Sequence, residues 1–249
     1  MIKAKDAPEF SRLLQALANA IVTAHIHYQL YKDLRQALSD YPSVAAQSRA
    51  FWQLTLNAHI NTSMQILCRV YDQQAQALHL RSWLLTIREH LHLFDKEAFR
   101  QRLQENPFVE SLAQLPRRPD PMVLEEDIRL CSPQDPQVKI LIIHRHSHVA
   151  HTGATNILAA RNLHDAHPLT FGDFEALLAR AKTILNRYSR LWAANTYETQ
   201  IIGHDDYQYV FKCVEEKLQR IEEANQKRRR ARRSRRPSDS SSDGHGDGG

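Results

Sequence analysis

The stretch EFSRLLQALANAIVTAHIHYQLYKDLRQAL, Glu9 to Leu38, decides the fold class, because Phe10, Leu13, Leu17, Ile21, Ala24, Tyr28 and Tyr31 recur at alternating three- and four-residue steps. That period places all seven on one face of a helix; a half-buried strand would alternate every second residue. Pro42 closes the helix, and Ser43 is placed to cap the next. Trp52, Leu56, Ile60, Met64, Leu67 and Tyr71 form a second stripe, ending near Gln73 and Gln74. Two long helices joined by a short turn predict an antiparallel hairpin.

Leu80, Leu84, Ile87, Leu91 and Phe94 predict a third helix, and Asp95 is placed to cap a short fourth running to about Asn106. Six of the ten prolines fall between Pro107 and Pro136, so this stretch reads as a connector with a helical turn or two at Glu125–Leu130. Beyond it, Gln137–His151 reads as helix. So does 173–192, with Phe174, Leu177, Ala181, Ile184, Tyr188 and Leu191 on one face and Thr170 or Asp173 as cap. A last helix starts near Asp205 with Tyr207, Val210, Phe211, Val214, Leu218 and Ile221. Lys227–Arg236 and the Ser/Asp/Gly-rich end lack apolar residues to bury and are expected to be disordered. The expectation is an all-α antiparallel helical bundle with additional helices: one domain over 1–225, containing the connector 107–136, and a disordered tail over 226–249.

Composition narrows the function classes. Glycine is scarce, seven in all with four in the last six residues, so the turns that sheets demand are few. Cys68, Cys131 and Cys213 are odd in number and form no CxxC pair, which disfavours a disulfide framework or a thiolate zinc site and fits a reducing compartment. No stretch approaches the ~20 apolar residues that span a bilayer, and no signal core is evident, so a soluble cytoplasmic protein without membrane contact is expected. The net charge of +5 resides in the tail, where residues 226–249 hold eight Lys or Arg against three Asp. The body is electrically balanced, and attraction to nucleic acid by charge alone rests on Arg228, Arg229, Arg230, Arg232 and Arg233. With no aromatic residue among them, they would concentrate nucleic acid nonspecifically or act as a solubilising extension.

Four histidines and an arginine lie within His144-Arg-His-Ser-His-Val-Ala-His151, directly after the apolar run Ile140–Ile143. On a helix Val138, Ile142, Arg145 and Val149 share one face, and Leu141, His144, His148 and His151 the neighbouring one. Arg145 then lies against or beside the core, where a guanidinium needs a carboxylate partner or a bound anion. His144, His148 and His151 also have the i, i+4, i+7 spacing of a helical metal triplet, although no completing carboxylate can be identified.

The segment resembles the signature of the HEPN superfamily of helical-bundle proteins, Arg followed by a polar residue, four more residues and His, here Arg145-His146-Ser147-His148-Val149-Ala150-His151. It is most similar to the abortive-infection, AbiU-like branch, whose Arg-Asn-Lys-x-x-Ala-His-Thr motif is kept at Arg145, Ala150, His151 and Thr152. Arg69-Val-Tyr-Asp72, the helix at 173–192 and Gly203-His-Asp-Asp206-Tyr207 resemble further parts of that branch. His146, Ser147 and Gly153 stand where the branch often has Asn, Lys and Asp.

The resemblance implies a metal-independent endoribonuclease of host defence, in abortive infection or a toxin–antitoxin pair. It would need no cofactor, act as a homodimer on RNA, and possess an antitoxin or a nucleotidyltransferase-like partner. His151 would be the general acid or base, Arg145 the phosphate stabiliser and His146 a polar helper, supported by His148, Thr152, Arg69 and Asp72. Chemically, histidine can take the 2′-hydroxyl proton near neutral pH and arginine can stabilise the phosphorane. On one straight helix Arg145 and His151 point about 120° apart, so a second copy or a helix break is needed to aim both at one phosphate.

Plainer readings stand beside this. Arg145 and His151 can be an ion-paired arginine and a surface histidine in a noncatalytic module that binds RNA, nucleotide or a partner protein. A metal-dependent enzyme using His144, His148 and His151 is a third reading. Arg69 and Asp72 have the spacing of an i, i+3 pair, and His25, His27, His59, His79, His90 and His92 show no partner pattern.

Overall fold

A computed structural model of the chain describes residues 2, 4–145, 167–200, 203 and 205–234. Among these residues every regular element is a helix, and none is long and apolar enough to cross a membrane. Contacts divide the chain into two compact units, Met1–Asp33 with Leu54–Ile202, and Leu34–Gln53 with Gly203–Gly249.

The first apolar stripe forms α1 (Ala7–Asp40) and the second forms α3 (Arg49–Val70). Pro42 does more than end α1: it occupies the first turn of a short α2 (Pro42–Gln47), where its missing N–H costs nothing. Within the first unit, Ser63 Oγ donates to the Ala24 carbonyl at 2.7 Å and His27 Nδ1 lies 2.9 Å from His59 Nδ1. Residue numbers rise along one helix as they fall along the other, which is the antiparallel hairpin the spacing predicts.

A second antiparallel pairing joins α1 to α9 (Phe171–Ala193). Trp192 Nε1 donates to Ser11 Oγ, His25 Nε2 to the Leu178 carbonyl and Tyr28 Oη to Glu175, so each step up α1 meets a step down α9. Phe10, at the foot of α1, packs its ring 4.3 Å from Trp192 and 5.9 Å from Trp83 of α4 (Leu80–Glu89). Phe94, in the 3₁₀ turn Leu91–Phe94, closes the cluster against Trp192 at 5.1 Å. The second half of the expected third helix is thus a tighter turn. Asp95 stands at the start of α5 (Lys96–Arg102) without a side-chain cap bond.

The proline-rich stretch is more ordered than its composition implies. It holds α6 (Val109–Ala113) and α7 (Pro121–Leu130), the latter opened by Asp120, whose carboxylate accepts from the Met122 and Val123 amides with Pro121 at the first position. Leu124, Ile128 and Cys131 are buried. Asp127, also buried, pairs with Arg187 and accepts from Tyr188 Oη at 2.8 Å, both on α9. Asp135 caps α8 (Pro136–His144) and pairs with Arg180 of α9 at 3.1 Å. The connector is therefore fastened to the bundle at two buried carboxylates.

In the second unit, Phe211 of α10 (Tyr207–Ser234) is fully buried, with its ring 5.0 Å from Trp52, 5.6 Å from Tyr41 and 5.9 Å from Tyr207. This helix departs from the sequence reading, which starts disorder at residue 226. It continues to Ser234 because Glu, Gln, Lys, Arg and Ala are strong helix formers even where they bury nothing. Residues 235–249 of the expected tail lie outside the described residues.

Candidate functional site

Site geometry begins with α8. Its Asp135 side chain accepts from the Gln137 and Val138 amides, fixing where the helix starts and hence which residues face inward. Val138, Leu141 and His144 are buried, while Ile142 and Arg145 are partly exposed. The inward face is therefore that of Leu141 and His144 together with Val138, and Arg145 stands at its edge. Arg145 keeps helical backbone angles at the end of α8, its amide donating to the Leu141 and Ile142 carbonyls.

The partner that a guanidinium in this position needs is Asp72. Arg145 Nη1 donates to Asp72 Oδ1 at 2.6 Å, with the arginine side chain 24% exposed and the aspartate 7%. Asp72 lies one residue past Tyr71, where the chain leaves α3 and turns, and the same Oδ1 accepts from the Gln73 amide at 2.7 Å and the Gln74 amide at 3.2 Å. Three donors converge on one oxygen, so the carboxylate is held by local turn geometry before Arg145 arrives. Tyr71 anchors the turn from below, its hydroxyl donating to the Leu177 carbonyl at 2.9 Å.

The expected Arg69–Asp72 pair is corrected here. Arg69 is exposed and Asp72 is buried, and the carboxylate's ion pair among the described residues is with Arg145. An i, i+3 relation brings side chains together only while the helix persists, and α3 ends at Val70.

Beside this pair the Cys68 thiol and the His79 imidazole are each held in one protonation state. Burial pushes the Cys68 thiol up to about 12, opposed by the Arg145 charge and reinforced by Asp72, so it remains a thiol. His79 Nδ1 accepts from the Ser82 amide while Nε2 donates to the Gln74 carbonyl, which fixes a neutral imidazole protonated on Nε2. Burial lowers its pKa against the raising effects of the Gln74 carbonyl and Asp72. His79 caps α4 reciprocally with Ser82. It gave no signal in the sequence because histidine is an uncommon cap, and its role is to complete the turn that carries Asp72.

Within the histidine cluster His144 is buried, and its Nε2 donates to the His167 carbonyl at 2.6 Å. In the proposed metal triplet this nitrogen is therefore already protonated and engaged. Among the described residues no group of three or more His, Cys, Asp or Glu could hold a metal ion. His146, His148, His151 and Thr152 lie outside the described residues. Thr170 caps α9, its Oγ1 accepting from the Asp173 amide while the Asp173 carboxylate accepts from Thr170. The remaining named cations, Arg228, Arg229, Arg230, Arg232 and Arg233, are all exposed on α10 in the second unit.

This arrangement provides one orientable guanidinium. Arginine carries five N–H donors in a planar fork, so a single carboxylate bond through Nη1 steers the group while leaving donors suited to a phosphate. A family model described as AbiU2, a HEPN family, matches residues 7–212. Neither curated proteins nor solved structures give a match.

Proposed function

The chain belongs to the AbiU2 family of HEPN proteins, and from that premise we propose that it is a metal-independent endoribonuclease of host defence, acting in the cytoplasm as a homodimer. In this role Arg145 stabilises the charge building on the scissile phosphate and His151 moves the proton of the ribose 2′-hydroxyl, with His146 orienting one or the other. His148 and Thr152 would be supporting residues of this site. An antitoxin or a nucleotidyltransferase-like protein is the partner that would restrain the activity.

The observation that carries this reading is the bond from Asp72 to Arg145. A phosphate-binding arginine works best when its fork is aimed in advance, and a carboxylate fixed by two backbone amides is a firm support for it. The six-residue spacing to His151 supports the rest through the family's signature.

The same bond favours a second reading. An arginine already neutralised by a buried aspartate has no need of phosphate, and a noncatalytic HEPN-fold module binding RNA, nucleotide or a protein would use it as a tie between α8 and the turn after α3. Incubating the purified protein with RNA in excess EDTA separates the two. Cleavage leaving 2′,3′-cyclic phosphate ends supports the nuclease, cleavage only on adding a divalent metal supports a metalloenzyme, and intact RNA supports the module.

A further inference from the structure

The last two turns of α10 carry cations all round the helix. After Glu223 the described chain contains no acid, and Lys227, Arg228, Arg229, Arg230, Arg232 and Arg233 follow within a continuous helix in which every residue from Gln219 to Ser234 is exposed. At about 100° per residue these six cations encircle the helix, with no gap between neighbours wider than about 100°. Arg228 and Arg232, and likewise Arg229 and Arg233, are like charges at i, i+4. Such pairs destabilise a bare helix. A helix ringed in this way is relieved by a polyanion that meets it on more than one side.

Three kinds of polyanionic surface can be compared with that ring. An amphipathic membrane helix places its cations on one face and large apolar residues on the other, but beyond Ile221 the only apolar residues of α10 are Ala224 and Ala231. Single-stranded RNA is gripped by aromatic stacking, and α10 has no aromatic residue after Phe211. The two phosphate walls of a duplex groove remain. A helix is about 10–12 Å across, close to the ~12 Å of a B-form major groove, whereas the major groove of regular A-form RNA is too deep and narrow to admit it. A bulge or internal loop is what opens an RNA groove to a helix.

We propose that residues 227–234 of α10 dock as a preformed helix in the major groove of duplex RNA widened by a bulge or internal loop, their guanidinium groups reaching the phosphates on both walls. The choice of RNA over DNA rests on the ribonuclease reading; the helix-in-groove geometry does not.

The test uses the full-length chain and non-cleavable 2′-O-methyl RNA, so that binding is read whether or not the protein cuts. Fluorescence anisotropy compares a bulged hairpin, a perfect RNA duplex, a single strand and a DNA duplex across a salt series. The bulged hairpin should bind at least tenfold more tightly than the others. The quadruple variant R228Q/R229Q/R232Q/R233Q, which keeps helix propensity, should bind at least tenfold more weakly and lower the log–log salt slope by about 3, near 0.7–0.9 per lost phosphate contact. Ala231→Pro, which keeps every charge but breaks the helix, should abolish the preference for the bulged hairpin. Preserved preference in Ala231→Pro, equal or tighter binding of DNA, or an unchanged salt slope in the quadruple variant would each overturn the proposal.

Discussion

Arg145 Nη1 lies 2.6 Å from Asp72 Oδ1, joining the end of α8 to the turn that follows α3 across 73 residues of sequence. The aspartate is the more buried partner, so the pair is asymmetric: removing the arginine strands a carboxylate, while removing the aspartate leaves a guanidinium with access to water. Arg145→Ala is therefore expected to destabilise by about 1–3 kcal/mol, below the full cost of breaking a buried pair because the Gln73 and Gln74 amides still hold the carboxylate. Asp72→Asn, whose amide oxygen can accept the same backbone bonds, should cost less. Urea titrations of the two single variants and the double variant give the coupling directly, and additive effects would show that the pair contributes nothing to stability.

Asp72→Asn also separates positioning from packing. If Asp72 aims the guanidinium at phosphate, RNA cleavage should fall mainly in kcat with KM little changed, since the charge of Arg145 survives while its orientation is lost. An unchanged kcat in a folded Asp72→Asn protein would make the bond purely structural.

A pH dependence follows from three histidines. His79, His25 and His59 all have pKa values lowered chiefly by burial, and in His59 the facing His27 adds to it. A histidine with a folded pKa below its unfolded value near 6.5 binds its proton more readily in the unfolded chain. Stability is thus undiminished by these groups above about pH 7 and declines as pH falls through the unfolded pKa toward the lower folded ones. Thermal melts from pH 8 to pH 5 should show a falling Tm below about pH 6.5, and His79→Gln should flatten that slope. A Tm that rises on acidification would contradict the assignment of neutral, capped His79.

Whether a feature can be read from sequence depends on the range of the interaction that makes it. The helical stripes from Phe10 to Tyr31 and from Phe174 to Tyr188 were plain, because a 3.6 period needs only neighbours in sequence, and the Thr170 cap declares itself by an acid three residues on. That Arg145 needs a partner followed from its place beside the core; which carboxylate serves did not. Asp72 reads as the local mate of Arg69 until α3 is seen to end at Val70. Asp127 and Asp135 are hidden in the same way: both sit in the proline-rich connector, Asp127 within its expected helical turn, and both are fixed by α9 residues 45 or more positions later, which no local rule names. The helical course of residues 226–234 does not show in the apolar pattern, because intrinsic helix propensity and not burial carries it.

The buried tie at Asp127 should carry measurable energy. Tyr188→Phe removes the hydroxyl bond while Arg187 still pairs with the carboxylate, so a loss of about 1–2 kcal/mol is expected. Native-state hydrogen exchange should then report faster opening of α7 with α9 largely unaffected. Uniform acceleration across both helices would mean that the connector unfolds only with the bundle.

The most direct test of the central claim is single-turnover RNA cleavage in excess EDTA by wild-type protein and Arg145→Ala, with circular dichroism confirming that both remain helical. Loss of a preorganised donor to developing charge predicts a rate lower by roughly 100-fold or more in the variant, with cyclic phosphate ends from the wild type. Wild-type rates in a folded Arg145→Ala protein would contradict the claim that this guanidinium stabilises the scissile phosphate.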